Sequence, residues 1–185
     1  MKALLLAHGA GSSRDHPCLI AIEHALAPLP VHRMNFDYRA EGRRAPDRMP
    51  KLLAAFEREL ESLCVRNDVD TSDVIIGGRS MGGRVASHLA NQVEVAGLIL
   101  ISYPLHPPGK PEKLLIEHLP AVNVPTLVVS GTKDPFGTPG ELELWLATIS
   151  AEVHFEWIDG ARHDLKNGDD EVAEHVRRWV EHRNP

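Results

Sequence analysis

Short runs of apolar residues, set apart by segments long enough for a helix, restrict this chain more than any other feature. Leu4-Leu5-Leu6, Val74-Ile75-Ile76, Ala96 to Ser102 (AGLILIS) and Val124 to Ser130 (VPTLVVS) carry no polar alternation. A strand that is apolar on both sides is covered on both sides, which is the signature of a parallel sheet sandwiched between helices. The intervening segments supply the helices. Ser12 or Ser13 is placed to cap a helix running to about Ala27, and Pro28 and Pro30 stop it. Val31 to Phe36 alternates in polarity, as an outer strand with one wetter face does. Asp37 to Arg48 reads as a polar loop, after which Pro50 opens a helix with Leu52, Leu53, Phe56, Leu60 and Leu63 at helical spacing. A helix over Glu141 to Ile149, a last strand over Val153 to Ile158 and a final helix from about Asp169 to His182 complete the pattern. The expectation is an α/β fold with a mainly parallel six-stranded sheet and helices on both faces.

A chain of 185 residues suits one domain, expected to span 1–185, with a full core. Its net charge of −6 argues against general binding to nucleic acid or an anionic membrane. Cys18 and Cys64 sit in apolar helical patterns without metal-ligand spacing, so reduced thiols and a cytoplasmic location are expected. The apolar run after Met1 is too short for a signal peptide and is interrupted by His8-Gly9-Ala10-Gly11. No stretch is long enough to span a bilayer. An outer strand such as Val31 to Phe36 can pair with a second copy, so monomer and homodimer both stay open.

Function concentrates in the loops that follow the strands. Gly78-Arg79-Ser80-Met81-Gly82 fits G-x-S-x-G, with an apolar strand before it and a helical segment bearing Val85, Ala86 and Leu89 after it. Glycines two residues to either side of the serine are needed because side chains there would strike the neighbouring strand and helix. His8-Gly9-Ala10-Gly11, the Ser80 turn, Gly131-Thr132-Lys133-Asp134-Pro135-Phe136-Gly137 and Gly160-Ala161-Arg162-His163-Asp164 each follow a strand. In a parallel sheet all four therefore meet at one edge, where ligands of such folds bind. A serine hydroxyl needs a base, and a histidine base needs a carboxylate to fix its tautomer. Ser80, Asp134 and His163 occur in that chain order. Asp159 and Asp164 compete with Asp134, and His154, His175 and His182 compete with His163.

On these motifs, together with YPLHPPGKP, the chain resembles a small α/β-hydrolase. It is similar to the testis-expressed hydrolase-like proteins and the catalytic-like domain of a chromatin-complex subunit, and more distantly to dienelactone-hydrolase-like enzymes. The resemblance implies a compact fold without the initial antiparallel strands or a helical cap, and an open site. It implies a serine esterase or thioesterase acting on a small or medium acyl substrate. Ser80 would attack, His163 would act as general base and then acid, and Asp134 would orient it. The N–H groups of Ala10 and Met81 would hold the oxyanion. No organic cofactor and no metal are expected, since no His/Asp cluster shows ligand spacing. Tyr103 and His106 are expected on the pocket wall. Arg79 either braces a loop or meets an anionic substrate, and His8 is read as a structural histidine under the oxyanion turn. The competing reading is a hydrolase-fold adaptor that binds a partner protein or small signal without catalysis.

Overall fold

A computed structural model describes residues 1–183. Among them the order is β1 (Ala3–Ala7), α1 (Pro17–Leu26), β2 (Val31–Met34), α2 (Asp37–Ala40), α3 (Met49–Asn67), β3 (Val74–Arg79), α4 (Met81–Leu89), β4 (Gly97–Ile101), β5 (Thr126–Gly131), α5 (Pro139–Leu146), β6 (Val153–Ile158) and α6 (Asp169–His182). The strands form one sheet in the order β2-β1-β3-β4-β5-β6, and every neighbouring pair is parallel. The six-stranded parallel α/β fold expected from the apolar runs is therefore the one the chain adopts.

Side chains leave each strand on alternate faces, which divides the core in two. Leu4 and Leu6, Ile75, Ile99 and Ile101, and Leu127 and Val129 face α1 and α6. Leu5, Ile76, Leu98 and Leu100, and Val128 face α3, α4 and α5. Both sets are fully buried, and each large aliphatic side chain so covered contributes about 1.5–3 kcal/mol of transfer free energy. Wetter β2 is an edge strand, as its alternation predicted.

Several boundaries differ from the sequence reading, among them α5, which runs Pro139–Leu146 instead of Glu141 to Ile149. Helix α1 begins at Pro17, not near Ser12, because residues 9–16 are tied into turns by Ser12 N–H to Gly9 O (3.1 Å) and His16 N–H to Ser13 O (3.1 Å). His16 then caps the helix through Nδ1, which accepts the Cys18 N–H, and Pro17 takes the first helical position. Strand β2 stops at Met34, since the Phe36 N–H turns to donate to His8 Nε2 at 3.3 Å. The expected loop from Asp37 opens with the short helix α2, anchored by the buried Tyr38.

The strand order fixes where a ligand can bind. The chain leaves β1 toward β2 and then returns past β1 to form β3, so connections diverge between β1 and β3. A crevice opens at such a reversal beyond the carboxyl ends of the strands. Ala10 follows β1 and Ser80 follows β3, one on each side of it.

Candidate active site

Ser80 sits between β3 and α4 with φ 51° and ψ −117°, a backbone conformation that L-residues rarely adopt. Its N–H donates to Ile101 O at the end of β4 (2.8 Å), and its carbonyl accepts the Arg84 N–H that starts the helical ladder (3.1 Å). The turn holds because of its glycines. Gly78 lies level with Ala7 of β1, and a Cβ on Gly78 or Gly82 would run into the Ala7 carbonyl oxygen. The collisions expected from the sequence are thus with the end of β1 and, for Gly78, with the Gly82 backbone at the start of α4. The Ser80 side chain makes no capping bond to α4 and remains free for other partners.

That partner is His163, whose Nε2 lies 2.9 Å from Ser80 Oγ. The other ring nitrogen, Nδ1, lies 2.8 Å from Asp134 Oδ2 and 3.1 Å from Oδ1. Only an Nδ1–H can donate to the carboxylate, so Nε2 presents the lone pair that accepts the serine proton. The Asp134 carboxylate is shut off from solvent. It is satisfied there by His163, by the Phe136 N–H to Oδ1 (2.8 Å) and by a longer bond from Ser130 Oγ to Oδ2 (3.4 Å). The two loops are laced together by the Lys133 N–H to Ala161 O (2.9 Å) and by the Gly160 N–H to Thr132 Oγ1 (2.8 Å).

The rival residues lie elsewhere. Asp159 accepts from Thr132 Oγ1 and Asp164 from the Lys166 N–H. His154 and His175 face Glu156, and His182 bonds the Arg178 carbonyl. His8 is fully buried, with Nδ1–H toward Gly9 O (2.7 Å) and Nε2 accepting from Phe36. Burial holds its pKa below the ordinary histidine range, so it is a neutral strut of the β1 loop. Ala10 is exposed, and its carbonyl is held by the Tyr38 hydroxyl at 2.8 Å. Its N–H meets no acceptor among the described residues. Met81 is the first residue of α4, and an N–H in that position has no carbonyl one turn back.

Of the three residues considered for substrate contact, Tyr103 and His106 are placed differently and Arg79 takes one of its two expected roles. Tyr103 has no exposed surface, and its hydroxyl donates to Leu115 O at 2.8 Å. His106 is also buried, with Nδ1 on Pro107 O (2.9 Å) and Nε2 3.6 Å from Glu141. The proline-rich segment that carries them is pinned back along α4, where Ser87 and Asn91 bond His118, so neither side chain forms an open pocket wall. Arg79 is buried and donates through Nη2 to His163 O at 2.7 Å. It braces the histidine loop, the first of the two roles considered for it. Phe136 went unrecognised in the sequence. Its ring stacks on His163 with centroids 4.0 Å apart, and its place two residues after Asp134 was the available signal.

Among the described residues, one group with metal-ligand chemistry lies outside this line, formed by His16, Cys18 and Asp169. Sequence spacing gave no hint of it, because Asp169 is remote in the chain.

Residues 1–183 match the family described as an alpha/beta hydrolase domain. The chain belongs to the alpha/beta hydrolase family. It is 31% identical over 166 residues, 81% of its length, to uncharacterized proteins from two strains of Mycobacterium tuberculosis. The chain spans 58% of the length of those curated relatives. Among solved structures, an alpha-beta serine hydrolase homologue from Coxiella burnetii superposes with a TM-score of 0.80 at 20% identity, over 96% of this chain and 84% of that one. Dienelactone hydrolase from Anabaena variabilis superposes at 0.77 and 22% identity, over 98% and 86%. A serine hydrolase without lid from Xanthomonas campestris superposes at 0.73 and 20% identity, over 96% and 82%. At these identities the likeness is one of fold. No helix among the described residues is long and apolar enough to cross a membrane.

Proposed function

We propose that this alpha/beta hydrolase is a serine hydrolase of the esterase or thioesterase type, cleaving a small or medium acyl substrate through an acyl-enzyme. The observation that carries the reading is the unbroken hydrogen-bonded line from Ser80 Oγ through His163 to the buried Asp134. As His163 Nε2 takes the hydroxyl proton, Ser80 Oγ adds to the acyl carbonyl carbon. The carbonyl oxygen becomes an oxyanion facing the N–H groups of Met81 and Ala10. His163, now an imidazolium stabilised by Asp134, gives its proton to the departing alcohol or thiol. Water then repeats the sequence on the acyl-enzyme and frees the acid and Ser80. These steps call on no metal and no organic cofactor. One oxyanion donor is worth about 10²–10³ in rate, and loss of the serine or histidine of a triad costs about 10⁶.

The serine hydrolase homologue from Coxiella and the serine hydrolase without lid from Xanthomonas share the fold, which favours this chemistry over a binding role. We also place residues 1–185 in one domain and in the cytoplasm, where two free cysteines are at home. Within the family, HGAG, GGRSMGGR and GTKDPFG favour kinship with the testis-expressed and chromatin-subunit hydrolase-like group.

A fluorophosphonate probe tests the assignment. Labelling is expected at Ser80, absent from Ser80→Ala and lost with His163→Ala, and ester turnover by Ser80→Ala should fall toward background. Labelling or turnover that survives in Ser80→Ala would remove Ser80 from the mechanism. A folded wild-type protein that never labels would favour the adaptor.

A further inference from the structure

Helices α1 and α6 lie side by side on one face of the sheet, and both begin at the edge that carries Ser80. At their starts, one ligand atom each from His16, Cys18 and Asp169 lies within 4.8 Å of the other two. We propose that these three side chains form a binding site for a thiophilic divalent cation of the zinc type, clasping the start of α1 to the start of α6. This proposal stands apart from the hydrolase reading and does not need Ser80 to react.

Two of the three donors are uncommitted. The Cys18 thiol is buried and makes no hydrogen bond among the described residues. The Asp169 carboxylate has neither hydrogen bond nor ion pair there, although it stands among charged groups. The third, His16, accepts the Cys18 N–H through Nδ1 at 3.2 Å, and a cation on either ring nitrogen displaces that bond, because Nδ1 is then the ligand itself or carries the proton. Sulfur, imidazole and carboxylate together suit zinc, which takes Cys at about 2.3 Å and His or Asp at about 2.0–2.2 Å. Those bond lengths put tetrahedral ligands roughly 3.3–3.7 Å apart. Any pair near the 4.8 Å limit must therefore close by about 1 Å, through rotation of the half-exposed Asp169 or His16 side chain toward the buried Cys18. A fourth position remains for water.

Burial pushes the Cys18 thiol up to about 12, with Asp169 adding to the shift and Arg79 opposing it, so the thiol keeps its proton until a cation displaces it. Burial and then Arg79 hold His16 below its ordinary value, in the neutral form a metal requires. The cation must therefore offset the cost of a buried thiolate, and a dication neutralises the thiolate and carboxylate together. Binding releases the thiol proton to solvent.

Cobalt is the probe. Protein stripped with chelator and titrated with Co²⁺ should develop thiolate-to-cobalt charge-transfer absorption that saturates at one equivalent. Zn²⁺ should bleach it and raise the melting temperature. Cys18→Ser should abolish the band, while Cys64→Ser should leave it. Asp169→Asn, a substitution outside the packed core, should weaken binding by about tenfold or more with an unchanged circular dichroism spectrum. It decides the matter even where Cys18→Ser fails to fold. Absence of the band in the wild-type protein, its survival in Cys18→Ser, or unaltered affinity in folded Asp169→Asn would overturn the proposal.

Discussion

Ser80 bears the cost of its position. A residue held at a sparsely populated positive φ (51° here) stores roughly 1–3 kcal/mol. Glycine at that position escapes the strain but loses roughly 0.4–1 kcal/mol through a freer unfolded chain. Ser80→Gly should therefore be more stable than Ser80→Ala by about 1 kcal/mol, read from urea unfolding midpoints. Equal midpoints would mean that the elbow is unstrained. At this scale the sequence was most legible where chemistry restricts residue choice. A serine between two glycines, a loop aspartate and a loop histidine each stood out. Tyr103 and His106 misled because a proline-rich segment has no periodicity from which to read burial. Phe136 was hidden for a different reason, since stacking on His163 depends on a contact between two loops.

Among the elements, the unit β3–turn–α4 depends on backbone closeness. Gly82 lies against the Ala7 and His8 carbonyls at the β1 end, and Ala7 cannot retreat without breaking the parallel ladder between β1 and β3. Gly82→Ala should cost about 3 kcal/mol or more and should reduce fluorophosphonate labelling along with stability. A variant with wild-type denaturation and labelling would show that the turn has slack. Element types were legible because strands and helices differ in period. Their ends were less so. The start of α1 was placed too early because Ser12 and Ser13 are good caps in isolation, whereas the turns at residues 9–16 consume that stretch. Pro17 marked the true start. The end of β2 moved because Phe36 bonds His8, a partner 28 residues away.

For the molecule as a whole, one buried and several half-buried histidines make stability depend on pH. Burial, followed by the charges of His88 and Arg84, depresses the His118 pKa to about 3. Its ring stacks on His88 at 3.6 Å, its Nε2 meets Ser87 Oγ at 2.7 Å, and Glu117 is a charged neighbour of His88. Between the unfolded histidine value near 6.5 and the depressed folded value, the unfolded chain binds more protons, so stability falls as pH falls through that window. His8, His16 and His88 are shifted in the same direction. The melting temperature should thus be lower at pH 5 than at pH 7, and His118→Gln should lessen the difference. A variant with an unchanged difference would remove His118 from the effect.

The sequence by itself determined the parallel α/β architecture, the edge at which the loops gather and the three residues of the hydrogen-bonded line. Those follow from patterning over a few residues and from the chemistry of side-chain types. Tertiary structure alone decided which loops touch, since β1 lies between β2 and β3 only through long-range packing. From that order come the Ala7 carbonyl against the elbow glycines, the Arg79 bond to the His163 carbonyl, and the meeting of His16 and Cys18 with Asp169. Each joins groups from separate segments, and local preference carries no record of such a contact.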